Sequence, residues 1–276
     1  MVQVEHLVSH GFIVVGMDHP HSSELVVFPD GRVVHGDPDQ GEDYSSEPKF
    51  RTFLRTGERR LPSRVDDVHL VLDSLEEWNY RDPEGILTGR MDLTRVGIFG
   101  HSFGGAVAAE SCRSDVRLRA GVDLDGLLFG QSAKLGVDRP FMFFTEDLDS
   151  SPANLSIPDS PAGRKNEVAQ MHRASIRRTL ELAEGYSLVV RGTSHKNYCD
   201  SPLFSPFRDL TGAGPIDPRR AFQIVNVYLL SFFRHVLLGA PEPLLRGPSA
   251  AYPEVTIEIG TRAGSREKLP RMNSVL

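Results

Sequence analysis

A mostly parallel β-sheet covered by helices on both faces is the architecture this sequence predicts. Short apolar, β-prone runs recur along the chain and alternate with stretches whose apolar residues repeat at helical spacing. The length, 276 residues, suits one large α/β domain or two small ones and can bury a core without disulfide or metal support. The pattern predicts a single domain over residues 1–259 and a flexible tail over 260–276, where Arg262, Arg266, Lys268 and Arg271 crowd together.

The elements follow in order. Residues 12–18, apolar between Gly11 and Pro20, read as a buried strand. Residues 25–35 read as a hairpin turned by Pro29-Asp30-Gly31, and the polar, turn-rich residues 36–62 as a surface excursion. Ser63 caps a predicted helix to about Trp78, with Val65, Val68, Leu72 and Leu75 on one face and Asp66 and Asp67 in the first turn. Strands are expected at 95–99, 120–124, 140–145 and 186–190. A small-residue helix is expected over 104–112, another helix over 166–183, and a loop over 146–165. Residues 218–238 form the clearest helix, with Ile224, Val225, Tyr228, Leu229, Phe232, Val236 and Leu237 on one face and Gly239 ending it.

Composition narrows the function. A formal net charge of −6 argues against nucleic acid as a partner. The two cysteines, Cys112 and Cys199, have no metal-ligand spacing and fit a reducing compartment. No secretory signal opens the chain and no apolar run is read as a membrane span, so the expectation is a cytoplasmic protein without stable membrane insertion, or a secreted one if the chain begins downstream of a signal. His19 and His21 flank Pro20 without a third ligand. They are read as a polar loop, and neither a metal nor an organic cofactor is expected.

One segment carries chemistry. Gly100-His101-Ser102-Phe103-Gly104 matches Gly-x-Ser-x-Gly between an apolar strand and a small-residue helix, the setting of a nucleophile elbow. Flanking glycines let strand and helix approach closely and hold the hydroxyl clear of the sheet. Serine needs a base, and His195, in Arg191-Gly-Thr-Ser-His-Lys-Asn after the last parallel strand, is best placed. His101 adjoins Ser102, but its side chain is expected to point away at the sharp turn. Asp125, ending the strand Ala-Gly-Val-Asp-Leu, is the preferred acid and gives the order Ser, acid, His. Glu146 and Asp147, after the next strand, are its rivals. The backbone N–H of Phe103 is the expected oxyanion donor.

At these residues the chain resembles the platelet-activating factor acetylhydrolase family, with its bacterial and fungal lipase-like relatives. The matching segments are Val8-Ser-His-Gly-Phe-Ile-Val-Val, Gly100-His-Ser-Phe-Gly-Gly, Val122-Asp-Leu-Asp-Gly, Arg139-Pro-Phe-Met-Phe-Phe and Val190-Arg-Gly-Thr-Ser-His-Lys-Asn-Tyr. The resemblance implies an α/β-hydrolase fold, Ser102, Asp125 and His195 as the triad, and cofactor-free ester hydrolysis. It also implies a small-molecule or lipid ester as substrate, short-acyl phospholipids among them. The chain departs from the family pattern in one respect. The strand and His-Gly loop that supply a second oxyanion donor should precede Ser9-His10-Gly11, so the first sheet strands are expected to be absent. One missing donor costs about 3–4 kcal/mol of transition-state stabilisation in a well-studied case. The rival readings are another hydrolase on the same fold (a dienelactone or polyester hydrolase, or a peptidase) and a non-catalytic fragment that retains the motif.

Overall fold

The apolar runs from residue 96 onward do form one sheet. The structure, a computed structural model, describes residues 2–37, 42–148, 160–204 and 211–260. Helix α1 (Val2–Ser9) is followed by a hairpin of β1 (Leu25–Val27) and β2 (Val33–His35) and by the long helix α2 (Glu47–Tyr80). Then come β3 (Val96–His101), α3 (Phe103–Ser114), β4 (Leu118–Leu124), α4 (Gly130–Leu135), β5 (Phe141–Thr145), α5 (Pro161–Leu182), β6 (Gly185–Val190), α6 (Pro218–Leu238) and β7 (Val255–Gly260). Strands β3 to β7 lie side by side in chain order. The first four are parallel, and β7 returns antiparallel to β6. This is the α/β-hydrolase architecture.

Period-two alternation sorts the side chains between two cores. Phe141 and Phe143 of β5 join Leu61 and Val65 of α2, Val107 of α3 and Ile176 of α5. Met142 and Phe144 join Leu7 of α1 and Ile224, Tyr228 and Phe232 of α6. Helix α6 is delimited as its sequence predicts. The Asp217 carboxylate accepts from the N–H groups of Arg219 and Arg220, Pro218 sits at the first helical position, and Gly239 leaves in the left-handed region at φ 67°. By length and a mean hydropathy of 1.4, α6 could cross a bilayer, which corrects the expectation that no apolar run is long enough. Its side chains Ile224, Val225, Tyr228, Leu229 and Phe232 are instead wholly enclosed by the sheet and α1.

Other expectations are corrected. Residues 12–18 are not a strand. A strand requires a ladder, and β3 borders the sheet with β4 as its one strand neighbour among the described residues. Phe12 and Val14 still pack on one core and Met17 on the other, while Ile13 and Val15 face outward. The supposed excursion at 36–62 holds the first four turns of α2. Its helix begins after Ser46, with Glu47 and Pro48 in the first turn, so Ser63 is interior and not a cap. Gly57 and Pro62 disguised this stretch. A Cβ at Gly57 would overlap the Phe129 ring, so packing demands glycine there at the cost of helix propensity. The loop expected over 146–165 ends at Ser160, whose hydroxyl caps α5 by accepting from the Gly163 N–H. Residues 149–159 lie outside the described residues. Strand β7 is an addition to the expected elements, and Val255-Thr-Ile-Glu-Ile alternates as an edge strand should. Gly260 closes that strand, and the tail expected beyond it lies outside the described residues.

Phe232 fills the α6 side of the core with no exposed surface. Phe232→Ala is expected to lower unfolding free energy by about 3–5 kcal/mol, read as a fall in the urea midpoint at unchanged slope.

Candidate active site

Strand β3 ends in a turn that only strain explains. Ser102 follows it at φ 58°, ψ −127°, a left-handed conformation that non-glycine residues adopt at a cost of about 1–3 kcal/mol. Its N–H donates to the Leu124 carbonyl at 3.0 Å, one step beyond the His101–Leu124 pair of the ladder, and its carbonyl accepts from the Gly105 N–H at 2.9 Å. Helix α3 therefore starts at Phe103, directly against the sheet. A Cβ on Gly100 would overlap the backbone of Gly104, and one on Gly105 would overlap the Asp123 carboxylate. The two glycines are thus steric requirements of the turn.

Strand β4 ends the same way. Asp125 has φ 61°, and its N–H donates to Phe144 of β5 at 2.9 Å. Asp125 Oδ1 accepts from the Glu146 N–H at 2.7 Å, and Oδ2 lies 2.7 Å from His195 Nδ1. A carboxylate there makes Nδ1 the protonated nitrogen and leaves the Nε2 lone pair available. His195 opens a short 3-10 turn (His195–Tyr198) after β6, stabilised by a capping box between Ser194 and Asn197. Burial works to lower the His195 pKa, but the hydrogen bond and charge of Asp125, with Glu42 and Glu146 adding to them, hold it above the ordinary 6.5.

The rival acids hold the backbone of this loop. Glu146 Oε2 accepts from the His195 N–H at 3.2 Å, and burial together with the Asp125 charge raises its pKa. Asp147 Oδ2 accepts from the Gly192 N–H at 2.8 Å, and its own N–H donates to Thr193 at 3.1 Å. His101 departs from expectation. Its ring turns toward His195, with centroids 4.5 Å apart, and its Nε2 lies 3.0 Å from the His195 carbonyl. Among the described residues, no hydrogen bond of the Ser102 hydroxyl is found.

Asp123, with no exposed surface, faces the other side of the sheet from Val122 and Leu124. Its Oδ1 accepts from the Gly126 N–H at 2.8 Å. His172 Nε2 of α5 approaches Oδ2 at 3.3 Å, in an orientation that makes no hydrogen bond. Burial pushes this carboxyl up to about 6 despite that neighbour.

Ser102, Phe103 and Gly104 line a cavity of about 350 Å³. Val107, Leu127, Phe129 and Phe53 form apolar wall, and Arg60, Arg64, His19, Ser22 and Glu42 polar wall. The stretch 36–62, expected as a surface excursion, contributes to the cavity wall largely from helix α2. Arg60 is paired with Asp37 at 2.9 Å, and Arg64 donates to the Ser22 hydroxyl through Nε and a terminal nitrogen. His19 Nδ1 lies 2.7 Å from Asp67. Phe103 begins α3, so its N–H is one of the first-turn donors without an intrahelical acceptor. Sequence reasoning did not find the parts played by Glu146 and His101 around the His195 backbone. Nothing in local patterning marks a side chain that will bond a loop so distant in the chain.

Residues 3–239 match the family described as platelet-activating factor acetylhydrolase, isoform II. A protein of Arthroderma benhamiae named "Probable 1-alkyl-2-acetylglycerophosphocholine esterase" is 27% identical over 262 residues, covering 90% of this chain and 59% of the relative. The platelet-activating factor acetylhydrolase of Gallus gallus is 22% identical over 83% of this chain and 56% of its own length. The chain thus spans between half and three-fifths of the curated relatives it matches. Among solved structures, a ferulic acid esterase from Streptomyces cinnamoneus superposes with a TM-score of 0.66 at 26% identity, covering 93% of this chain and 68% of that one.

The His195 environment makes a direct prediction. Titrated by histidine NMR, His195 should show a midpoint above 6.5, and Asp125→Asn should move it down, because the carboxylate that favours the imidazolium is gone while burial remains. An unmoved midpoint would mean that the 2.7 Å contact does not form in solution.

Proposed function

Since the chain belongs to the platelet-activating factor acetylhydrolase isoform II family, we propose that it hydrolyses carboxylic esters through an acyl-enzyme on Ser102. The observation that carries this reading is the 2.7 Å contact of Asp125 with His195 Nδ1, at the same end of the sheet as the strained Ser102 turn. Ser102 Oγ attacks the ester carbonyl while His195 Nε2 takes its proton. Asp125 holds the imidazole with Nε2 free and stabilises the cation that forms. The Phe103 N–H, at the positive end of α3, donates to the developing oxyanion. The proton on Nε2 passes to the leaving alkoxide, and the alcohol departs. Water, activated by the same imidazole, then releases the acid and restores Ser102.

The cavity supports a short acyl chain. Phe53, Val107, Leu127 and Phe129 offer it an apolar wall beside Ser102 in a cavity of about 350 Å³. Short-acyl phospholipids and small alcohol esters are the proposed substrates.

A fluorophosphonate probe tests the nucleophile. Labelling of the folded chain should disappear in Ser102→Ala and fall by about a thousandfold or more in His195→Ala. Labelling that persists in Ser102→Ala, or a folded chain that neither labels nor hydrolyses acetyl esters, sinks the reading. Acetyl, butyryl and dodecanoyl esters of one phenol would then rank acyl length, with the dodecanoyl ester expected to be the poorest.

A further inference from the structure

We propose that His101, the residue before Ser102, is a positioning residue that ties the His195 backbone to the nucleophile strand by donating an Nε2–H hydrogen bond to the His195 carbonyl. The proposal rests on the reading of Ser102 and His195 as nucleophile and base.

Three contacts hold His195, and they come from different strands. Asp125, after β4, holds the imidazole at Nδ1. Glu146, after β5, accepts from the His195 N–H. The third is the 3.0 Å contact of His101 Nε2 with the His195 carbonyl. Between residues 96–105 and 191–199, it is the one hydrogen bond found among the described residues. The first two contacts set the base against β4 and β5. They leave its distance from Ser102, which hangs from β3, without a direct tether. His101 and Ser102 are adjacent on one backbone, so a bond from His101 to the base loop fixes that distance.

The chemistry of the contact is determined. A carbonyl only accepts, so His101 must carry a proton on Nε2, and in the neutral ring Nδ1 is then unprotonated. Burial, then the nearby His195, pushes its pKa down to about 4, against the bond to the His195 backbone and the Asp125 charge. The ring is therefore neutral when His195 titrates, and no second cation competes with the imidazolium forming 4.5 Å away. Misplacement of a reacting group by about 1 Å can cost about a hundredfold in rate, which is why a tether on the backbone of the base matters.

Two measurements on the full chain test this. Long-range proton–nitrogen NMR of the unmodified protein at pH 7 should show His101 neutral and protonated on Nε2. The Nδ1–H tautomer, which leaves no proton on Nε2, overturns the contact whether or not the chain is active. In kinetics, His101→Phe keeps a ring but has no donor, whereas His101→Gln offers a donor near the Nε2 position. His101→Phe should lower kcat about ten- to a hundredfold with KM little changed, and His101→Gln should recover most of that loss. Full kcat in His101→Phe, or equal loss in both variants, overturns the proposal. An unmodified chain without hydrolase activity would overturn the function proposed above, and the tautomer measurement would still decide the contact. If His101→Phe does not fold, the tautomer and His101→Gln kinetics decide the proposal: near-parental kcat with the Nε2–H tautomer supports it, and the opposite of either overturns it.

Discussion

The site depends on two adjacent parallel strands that end at one level, each in a left-handed residue that still completes a ladder bond. Ser102 leaves β3 with its N–H on Leu124, and Asp125 leaves β4 with its N–H on Phe144. A φ near 60° is disfavoured for both residues, more for serine than for aspartate, because the Cβ crowds the adjacent backbone. The sheet favours it: the hydrogen bond of each strained residue extends the parallel register by one step, so relaxing the turn would mean losing that bond. The side chains of Ser102 and Asp125 are thereby placed by the most rigid part of the molecule, and helix α3 begins immediately beyond the first of them.

His195 is held differently. His195 lies on a loop, and a loop must be secured side chain by side chain. Glu146 and Asp147 bind its N–H groups, Asn197 Oδ1 accepts from the N–H groups of Ser194 and Gly214, and the Tyr198 hydroxyl donates to the Thr145 carbonyl. Three of these five bonds end on Thr145, Glu146 and Asp147, at the end of β5 and just beyond it. Two neighbouring acids there divide the work with Asp125. Asp125 faces the imidazole, while the other two satisfy backbone donors that would otherwise be buried without partners. Two carboxylates so close cannot both be comfortable, and the raised pKa of Glu146 is the expected consequence of burial beside the Asp125 charge.

Long periodic elements were legible in the sequence, and context-dependent ones were not. Helix α6 announces itself by an apolar face, an acidic cap, a leading proline and a closing glycine. The first turns of α2 do not, because Gly57 and Pro62 lower the local preference and Gly57 is required by the Phe129 ring of a distant loop. Residues 12–18 show the converse. Their composition is that of a strand, but β propensity has no value without a partner, and the sheet begins at β3.

The sequence by itself determined the strand–turn–helix setting of Ser102, the order of serine, acid and histidine along the chain, and the parallel core, since each is written in local spacing and glycine placement. Only the tertiary structure decided which acid faces the imidazole, that Glu146 and Asp147 grip the backbone, and that His101 turns toward His195. Those outcomes depend on the register of β3, β4, β5 and β6. That register sets which side chains meet at the end of the sheet, from positions up to 94 residues apart. Local patterning does not encode such a distance, because the same residues in a sheet shifted by one step would point to its opposite face.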